Sequence, residues 1–558
     1  MTRRFFFILI TLCFSFNVYS ESIHFINAKG YTLADKGEMR SFSEMLISDD
    51  KIVAIGNDLK PQNESKTVNL QNKVMLPGII DAHGHLIGLG ENLTRVDLRN
   101  ATSEENAVKL IENFIGNEGA SNGSKWVIGR GWNQVTWDGN NGFPTKASLD
   151  KAFPDRPVYL TRIDGHAAWV NSKALELAGI TSSSISPPGG EIIKDKNGEA
   201  TGVLIDNAMY PVETLIPATT VDDLIYQLNT AQAHLLSLGI TSMHDAGIGQ
   251  TVRNIFINRA EKGLLNLRIY AMLAATDPNI DLMLQEGHFE DEQGFLSIRS
   301  VKAYGDGALG SRGAALLAPY SDDPDNSGLL VTKEEQLPTL FDLVVGNDFQ
   351  LNFHAIGDRA NRLALYHFKQ AFEQFPDNDQ RHRIEHAQVV AVEDIPLFVK
   401  YGVIPSMQPT HATSDMNMAE DRIGADRLKG AYAWQTFLQQ GSRIAFGSDF
   451  PVELANPFHG LHAAVTRQDS NMLPTGGWIA EESISIEQAF RAFTLDAAYA
   501  AFQEDIIGTL AVGKKADFIV IDRDIFNIPP TEIRSTQVLQ TWVNGQLVYM
   551  AEQGAGIE

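Results

Sequence analysis

Four points along the chain carry side chains suited to holding a cation. His83-Gly84-His85 follows an apolar run, and His354, His386 and Asp449 each end an apolar run of their own. Imidazole nitrogens and carboxylate oxygens are donors that borderline divalent cations take, and donors set at separate strand ends can converge on one ion. His83 and His85 are two residues apart, so on a strand both point to the same side, and Gly84 leaves room for a close neighbour. Singly, each histidine is equally well explained as a hydrogen-bonded core residue, and Asp449 as a loop-start or helix N-cap aspartate. As a set, they predict a metal site.

Repeated strand–helix units must carry these residues if they are to meet. Apolar strands ending in polar residues alternate with helical stretches, the sign of βα units and a parallel sheet. His354 to His386 is 32 residues, one unit, whereas His386 to Asp449 is 63, two units, and residues 402–408 supply the strand between. Lys302 to His354 is 52 residues, one unit plus the Gly/Ser/Asp/Pro-rich loop 307–327. His85 to Lys302 is 217 residues, where three units need only about 100. Strands at 239–245 and 267–273 fit that gap and leave an inserted lobe at 95–223 that would roof the site. Strands near 79, 241, 270, 301, 351, 383, 404 and 445 make eight, which predicts an α/β fold with a (β/α)8 TIM barrel over 77–94 and 224–507 and the site at the strand C-termini. Short strand-like runs at 23–26, 44–47, 52–55, 516–521 and 540–548, the last with an Asn544-Gly545 turn, predict a composite β-sandwich from residues 21–76 and 508–552.

With 558 residues and 44% apolar content, the chain is an ordinary globular protein with a large core rather than a disordered one. Residues 1–20 place Arg3 and Arg4 before an apolar run from Phe5 to Phe16 and then Val18-Tyr19-Ser20, the pattern of a signal peptide cut after Ser20. A secreted or periplasmic protein is therefore expected, with a retained N-terminal anchor as the alternative and no later segment of membrane-spanning length. Cys13 is the only cysteine and lies inside that segment, so neither disulfides nor a thiolate metal site are available to the mature chain. The formal charge of −24, or −26 without Arg3 and Arg4, argues against nucleic acid and anionic membrane surfaces as partners and leaves a homo-oligomer open.

Pro77-Gly78-Ile79-Ile80-Asp81-Ala82-His83-Gly84-His85 closely resembles the first-strand signature of the amidohydrolase superfamily, the urease-related metal hydrolases. Residues 513–520, Gly-Lys-Lys-Ala-Asp-Phe-Ile-Val, look like a strand of that superfamily's C-terminal β-domain. Residues 129–133, 164–171 and 306–311 are similar to the amidohydrolase 3 branch, which includes N-substituted formamide deformylase-like enzymes. The resemblance implies His83 and His85 on the more buried of two ions, Lys302 bridging both ions, His354 and His386 on the second, and Asp449 closing strand eight as ligand and catalytic acid–base.

Lys302 can ligate only after changing chemically, because an ammonium has no lone pair. The resemblance implies a carboxylated lysine between two Zn²⁺ ions, formed from a buried neutral amine and carbon dioxide. The competing reading is a lysine ion-paired with a nearby carboxylate such as Asp306. Zinc lowers the pKa of its water from 15.7 to about 7, so a metal-activated hydroxide would attack and Asp449 would pass the proton to the leaving amine. Trp132, His166, Asn171, Asp306, Arg312, Gln408 and His411 are the expected substrate-binding residues, with Trp132 and Trp169 alternatively core of the lobe. The expected reaction is hydrolysis of non-peptide C–N bonds in small linear amides such as N-acyl or N-formyl compounds. An esterase, lactonase or cyclic amidase at the same centre and a non-catalytic binding protein on the same scaffold are the alternatives.

Overall fold

The computed structural model describes residues 22–34, 36–61, 65–118, 126–137, 142–376 and 381–554. The signal-peptide expectation for residues 1–20 falls outside them. Among the described residues no helix is long and apolar enough to cross a membrane.

Eight parallel strands run in chain order round the central sheet: β1 (Ile79–Gly84), β2 (Ile240–Ile248), β3 (Arg268–Ala274), β4 (Leu296–Tyr304), β5 (Gln350–Ala355), β6 (Arg383–His386), β7 (Ile404–Met407) and β8 (Ala445–Phe446). They coincide with the eight expected from spacing. The sheet curls until its edges meet, with His85 N–H donating to Phe450 O at 2.8 Å, Asp449 N–H to His83 O at 2.7 Å, and Gly84 bridging Phe450 in parallel. Helices follow the strands and bury apolar faces against them, among them Gln250–Glu261, Asp358–Gln374 and Pro457–Thr466. The fold is therefore a (β/α)8 barrel with further sheets attached.

Gly84 is where the seam needs a glycine. A Cβ there would lie 2.5 Å from the Phe450 ring, so the room anticipated beside the two histidines is taken by the residue after Asp449. Gly90 plays a similar part in helix Leu86–Leu93, since a Cβ would come within 2.2 Å of the Gln227 carbonyl on the neighbouring helix Val221–Ser237.

Residues from both ends of the chain share one β-structure. Val74–Pro77 pairs antiparallel with Phe518–Ile521 and parallel with Lys29–Leu33, in a six-stranded sheet that continues through the hairpin Val538–Val543 and Gln546–Met550. A four-stranded sheet of Ser22–Ile26, Glu44–Ser48, Lys51–Gly56 and Lys66–Asn69 shares its core, where Phe25 packs edge-on against Phe518 and Trp542. Asn544 and Gly545 both take positive φ at the hairpin tip, as a tight two-residue turn requires. A further six-stranded sheet, from Val96–Asp97 to Ala200–Asp206, lies between β1 and β2 in sequence and is the inserted lobe.

The barrel floor is tied to the terminal sheet by one buried ion pair. Arg268, at the start of β3, donates from Nε and Nη2 to the two carboxylate oxygens of Asp517 at 2.6 and 2.9 Å, and Nη2 also reaches Asn544 Oδ1 at 2.7 Å. Removing one partner of such a pair strands the other charge in the interior. Asp517→Ala is accordingly expected to destabilise the fold by about 3–5 kcal/mol, read as a lower urea midpoint. A midpoint equal to wild type would show that the pair does not hold the two parts together.

Candidate metal centre

The C-terminal ends of the barrel strands bring the expected donors together. His83 near the end of β1 and His85 just past it flank Gly84, and Asp449 lies just beyond β8, its Oδ1 3.2 Å from His85 Nε2 and 3.7 Å from His83 Nε2. The ligating atoms of His83, His386 and Asp449 all lie within 4.8 Å of one another, and all three residues are buried. Lys302 Nζ, from β4, is 3.2 Å from His83 Nε2. His354, from β5, completes the ring, its imidazole 4.5 Å from that of His386, which is itself 4.9 Å from that of His83.

Regular strand geometry alone does not aim these groups. In β6, Glu385 and His386 are neighbours, and successive strand residues point to opposite faces, yet both reach the cluster. His386 ends the strand with φ +75°, and Asp449 has φ +62°. Two non-glycine residues in the left-handed region at adjoining donors are the form in which backbone strain collects at functional sites.

Burial decides the protonation states. It pulls the His83 imidazole down to about 4 and that of His354 to about 3, with the nearby Lys302 charge acting in the same sense, and His386 falls well below its ordinary range. These rings are neutral near pH 7, the form that ligates a metal. Burial also lowers Lys302 to about 8, so a substantial fraction is free amine in mild base. For Asp449 burial acts upward, but the His85 hydrogen bond and the charges of His83 and His411 outweigh it and keep the carboxyl below its usual range.

Side chains around the cluster fix its orientation. His83 Nδ1 hydrogen-bonds Glu385 Oε2, and His386 Nδ1 donates to Gln408 Oε1 at 2.8 Å. Asp81 accepts from Ser448 N–H at 3.1 Å and from Ser448 Oγ at 2.7 Å, holding β1 to the residue before Asp449, and burial raises its carboxyl to about 7. The buried Nε2 atoms of His354 and His411 have no hydrogen-bond partner among the described residues. A set of neutral imidazoles and an anionic carboxylate, with buried nitrogen lone pairs left over, fits a bound divalent cation.

The expected substrate-binding residues separate into two groups. Gln408 and His411 reach the cluster, His411 with Nε2 3.6 Å from Asp449 Oδ2 and its ring stacked on His386 at 5.9 Å. Asp306 is close but occupied: its carboxylate accepts from Ala315, Ile356 and Gly357 N–H at 2.8 to 2.9 Å, clamping the loops after β4 and β5, and burial raises it to about 7. No ion pair joins it to Lys302 among the described residues, and the carboxylates whose charge acts on that lysine are Glu385 and Asp449.

The other four are engaged with other partners. Trp132 and Asn171 are fully buried inside the lobe, which for Trp132 is the alternative reading as lobe core and for Asn171 corrects the assignment as a substrate contact. Trp132 Nε1 donates to Leu160 O at 2.7 Å and its ring packs with Trp137 and Trp169. Asn171 caps helix Ser172–Leu177 and spends its amide on Phe153 O and Arg156 O. His166 is exposed and paired with Asp206, and Arg312 is paired with Asp322.

Sequence reasoning passed over Asp81, Glu385, Arg383 and Tyr304. Asp81 was discoverable from the two-residue strand period that links it to His83 and His85, and Tyr304 from the same period counted from Lys302. Tyr304 stands beside the cluster, its ring 5.2 Å from Lys302 Nζ and 5.6 Å from the His354 ring. Glu385 and Arg383 carried no such signal, since a strand-end carboxylate beside a candidate ligand reads equally well as solvent-facing.

The barrel and its cluster define a metal-dependent hydrolase. The chain matches the amidohydrolase family over residues 66–549 and belongs to it. It is 33% identical to the YtcJ protein of Bacillus subtilis (strain 168) over 494 residues, covering 87% of this chain and 91% of that one. It is 23% identical to N-substituted formamide deformylase of Arthrobacter pascens over 534 residues, covering 90% and 94%. Among solved structures, an uncharacterized metal-dependent hydrolase from Pyrococcus furiosus superimposes with TM-score 0.72 at 29% identity, covering 91% of this chain and all of that one.

His83→Ala is expected to abolish stoichiometric metal binding in elemental analysis. Asp449→Asn is expected to keep metal while turnover falls by about 10²–10⁴-fold, the usual worth of an acid–base group. Full activity in either variant contradicts the roles given to these two side chains.

Proposed function

We propose that this protein hydrolyses linear non-peptide C–N bonds in small N-acyl or N-formyl compounds, at a centre of two zinc ions bridged by carboxylated Lys302. The observation that carries the reading is the buried convergence of His83, His386 and Asp449 beside Lys302, whose lowered basicity suits capture of carbon dioxide. The formamide deformylase relative supports the substrate class. His83 and His85 would hold one ion, His354 and His386 the other, and the Lys302 carbamate and Asp449 would serve at their junction. When bound, such a cation supplies an electrophile that lowers the pKa of water to about 7.

The rest falls to the protein. Asp449, facing His85 and His83 through one oxygen and His411 through the other, accepts the proton of the attacking water and delivers it to the leaving nitrogen, so that an amine rather than an amide anion departs. Tyr304 borders the reaction space from β4, with burial raising its phenol above the ordinary range, so it stays a hydrogen-bond donor at neutral pH. Gln408 holds the His386 ring. The basic–apolar segment of residues 1–20 supports export to the periplasm or beyond, tested by comparing the N-terminus of secreted protein with the encoded one.

The deciding experiment is a substrate panel. N-formyl and N-acetyl amines are expected to turn over, activity is expected to vanish after chelation and return with zinc, and a preference for lactones or cyclic amides would overturn the substrate class. For the bridge, ¹³C-labelled carbon dioxide held at fixed concentration is expected to give a carbamate NMR signal that grows as pH rises through about 8, where the amine loses its proton. Lys302→Arg is expected to lack the signal.

A further inference from the structure

Beneath the cluster lies a fully buried ion pair that the hydrolytic chemistry does not use. Arg383 and Glu385 are both 0% exposed, with Arg383 Nε 2.7 Å from Glu385 Oε1 and Nη2 donating to Oε2 at 3.0 Å. Taking two charges out of water is costly enough that an apolar pair of equal volume is often as stable or more so. Packing alone therefore gives no reason for this pair. What it touches does.

Glu385 Oε2 hydrogen-bonds His83 Nδ1. Arg383 in turn is anchored across four strands, donating to Ala82 O at 2.7 Å on β1, His244 Nδ1 at 2.8 Å on β2 and Ser406 Oγ at 2.8 Å on β7, from its own place on β6. A carboxylate gripped by such a guanidinium cannot swing away. Being an acceptor only, it requires the proton on Nδ1. The lone pair then resides on Nε2, the atom that faces Lys302 Nζ at 3.2 Å and Asp449 Oδ1 at 3.7 Å.

We propose that Glu385, held by Arg383, is the positioning residue that selects the tautomer and ring orientation in which His83 binds metal. The inference deepens the metal-centre reading and rests on it. It also accounts for the backbone at β6. With Glu385 committed to His83 from inside the barrel, the next residue would face outward in a regular strand, and the strand instead ends at His386, whose positive φ brings that ring into the cluster. Consecutive residues thereby serve the site in different ways, one as ligand and one as the anchor of another ligand.

The test removes the acceptor without stranding a charge. The double variant Arg383→Met, Glu385→Leu is expected to bind zinc about 10–100-fold more weakly in competition with a chromophoric chelator. Its cobalt-loaded form is expected to show a changed visible absorption band, while its thermal midpoint stays close to wild type. Wild-type zinc affinity with an unchanged cobalt spectrum overturns the proposal. Should that variant not fold, Arg383→Gln, Glu385→Met again removes the acceptor beside His83 while keeping an amide donor toward Ala82 O, and its affinity and cobalt spectrum decide in the same way, weaker binding supporting the proposal and wild-type values overturning it. A wild-type protein that binds neither metal defeats the parent reading of the site, an outcome distinct from variants that match a metal-binding wild type.

Discussion

The seam where the first barrel strand meets the last is made of a few short bonds. His85 N–H reaches Phe450 O, Asp449 N–H reaches His83 O, and the Asp81 carboxylate takes the N–H and hydroxyl of Ser448. These bonds join residues more than 360 positions apart, and they hold the two histidines of β1 against the carboxylate beyond β8. Were the sheet left open there, His83 and His85 would stand at one edge and Asp449 at the other. Closure is hence the condition for the cluster to exist, and Gly84 and Gly447 are the positions where any side chain would obstruct it, a Cβ on Gly447 falling 2.4 Å from His83 N.

A polar barrel interior is the second consequence of building the site this way. Asp81, His83, His244, Lys302, Asn352, Arg383 and Glu385 are all buried, in a region where many barrels stack branched apolar side chains. Desolvation drives each ionisable group toward its neutral form unless a partner holds the charge. The histidines follow that rule and end neutral, ready to ligate. Glu385 and Asp449 escape it through guanidinium and imidazole partners. Charge at the centre is thus distributed by burial and pairing, and stability must come from elsewhere, chiefly the apolar packing between barrel and helices.

The loops above the strands are held to one another rather than left free. Asp306 binds backbone on the loops after β4 and β5. Arg427, at the end of helix Ala419–Arg427, grips Ala318 O and Pro319 O at 2.8 Å, and Asp322 is shared by Arg312 and Arg422. Such ties join the segments that follow β4, β5 and β7 to one another.

Much of this was already legible along the chain. Strand periodicity and the 32- and 63-residue spacings placed six donors at five strand ends and counted eight strands, because a βα unit has a nearly constant length. Local patterns can say that a residue sits at a strand end, and they can predict that a glycine between two histidines makes room. They cannot say which distant group fills that room, which turned out to be Phe450, nor whether a polar side chain in the lobe faces a cavity or its own core. Trp132 was left between two readings and Asn171 misjudged for that reason, since an indole N–H or an amide looks the same in sequence whether it meets substrate or a carbonyl 28 or 18 residues away. Only the folded barrel decided that Glu385 belongs to His83, 302 positions distant, because that contact arises from closing the sheet and leaves no local trace.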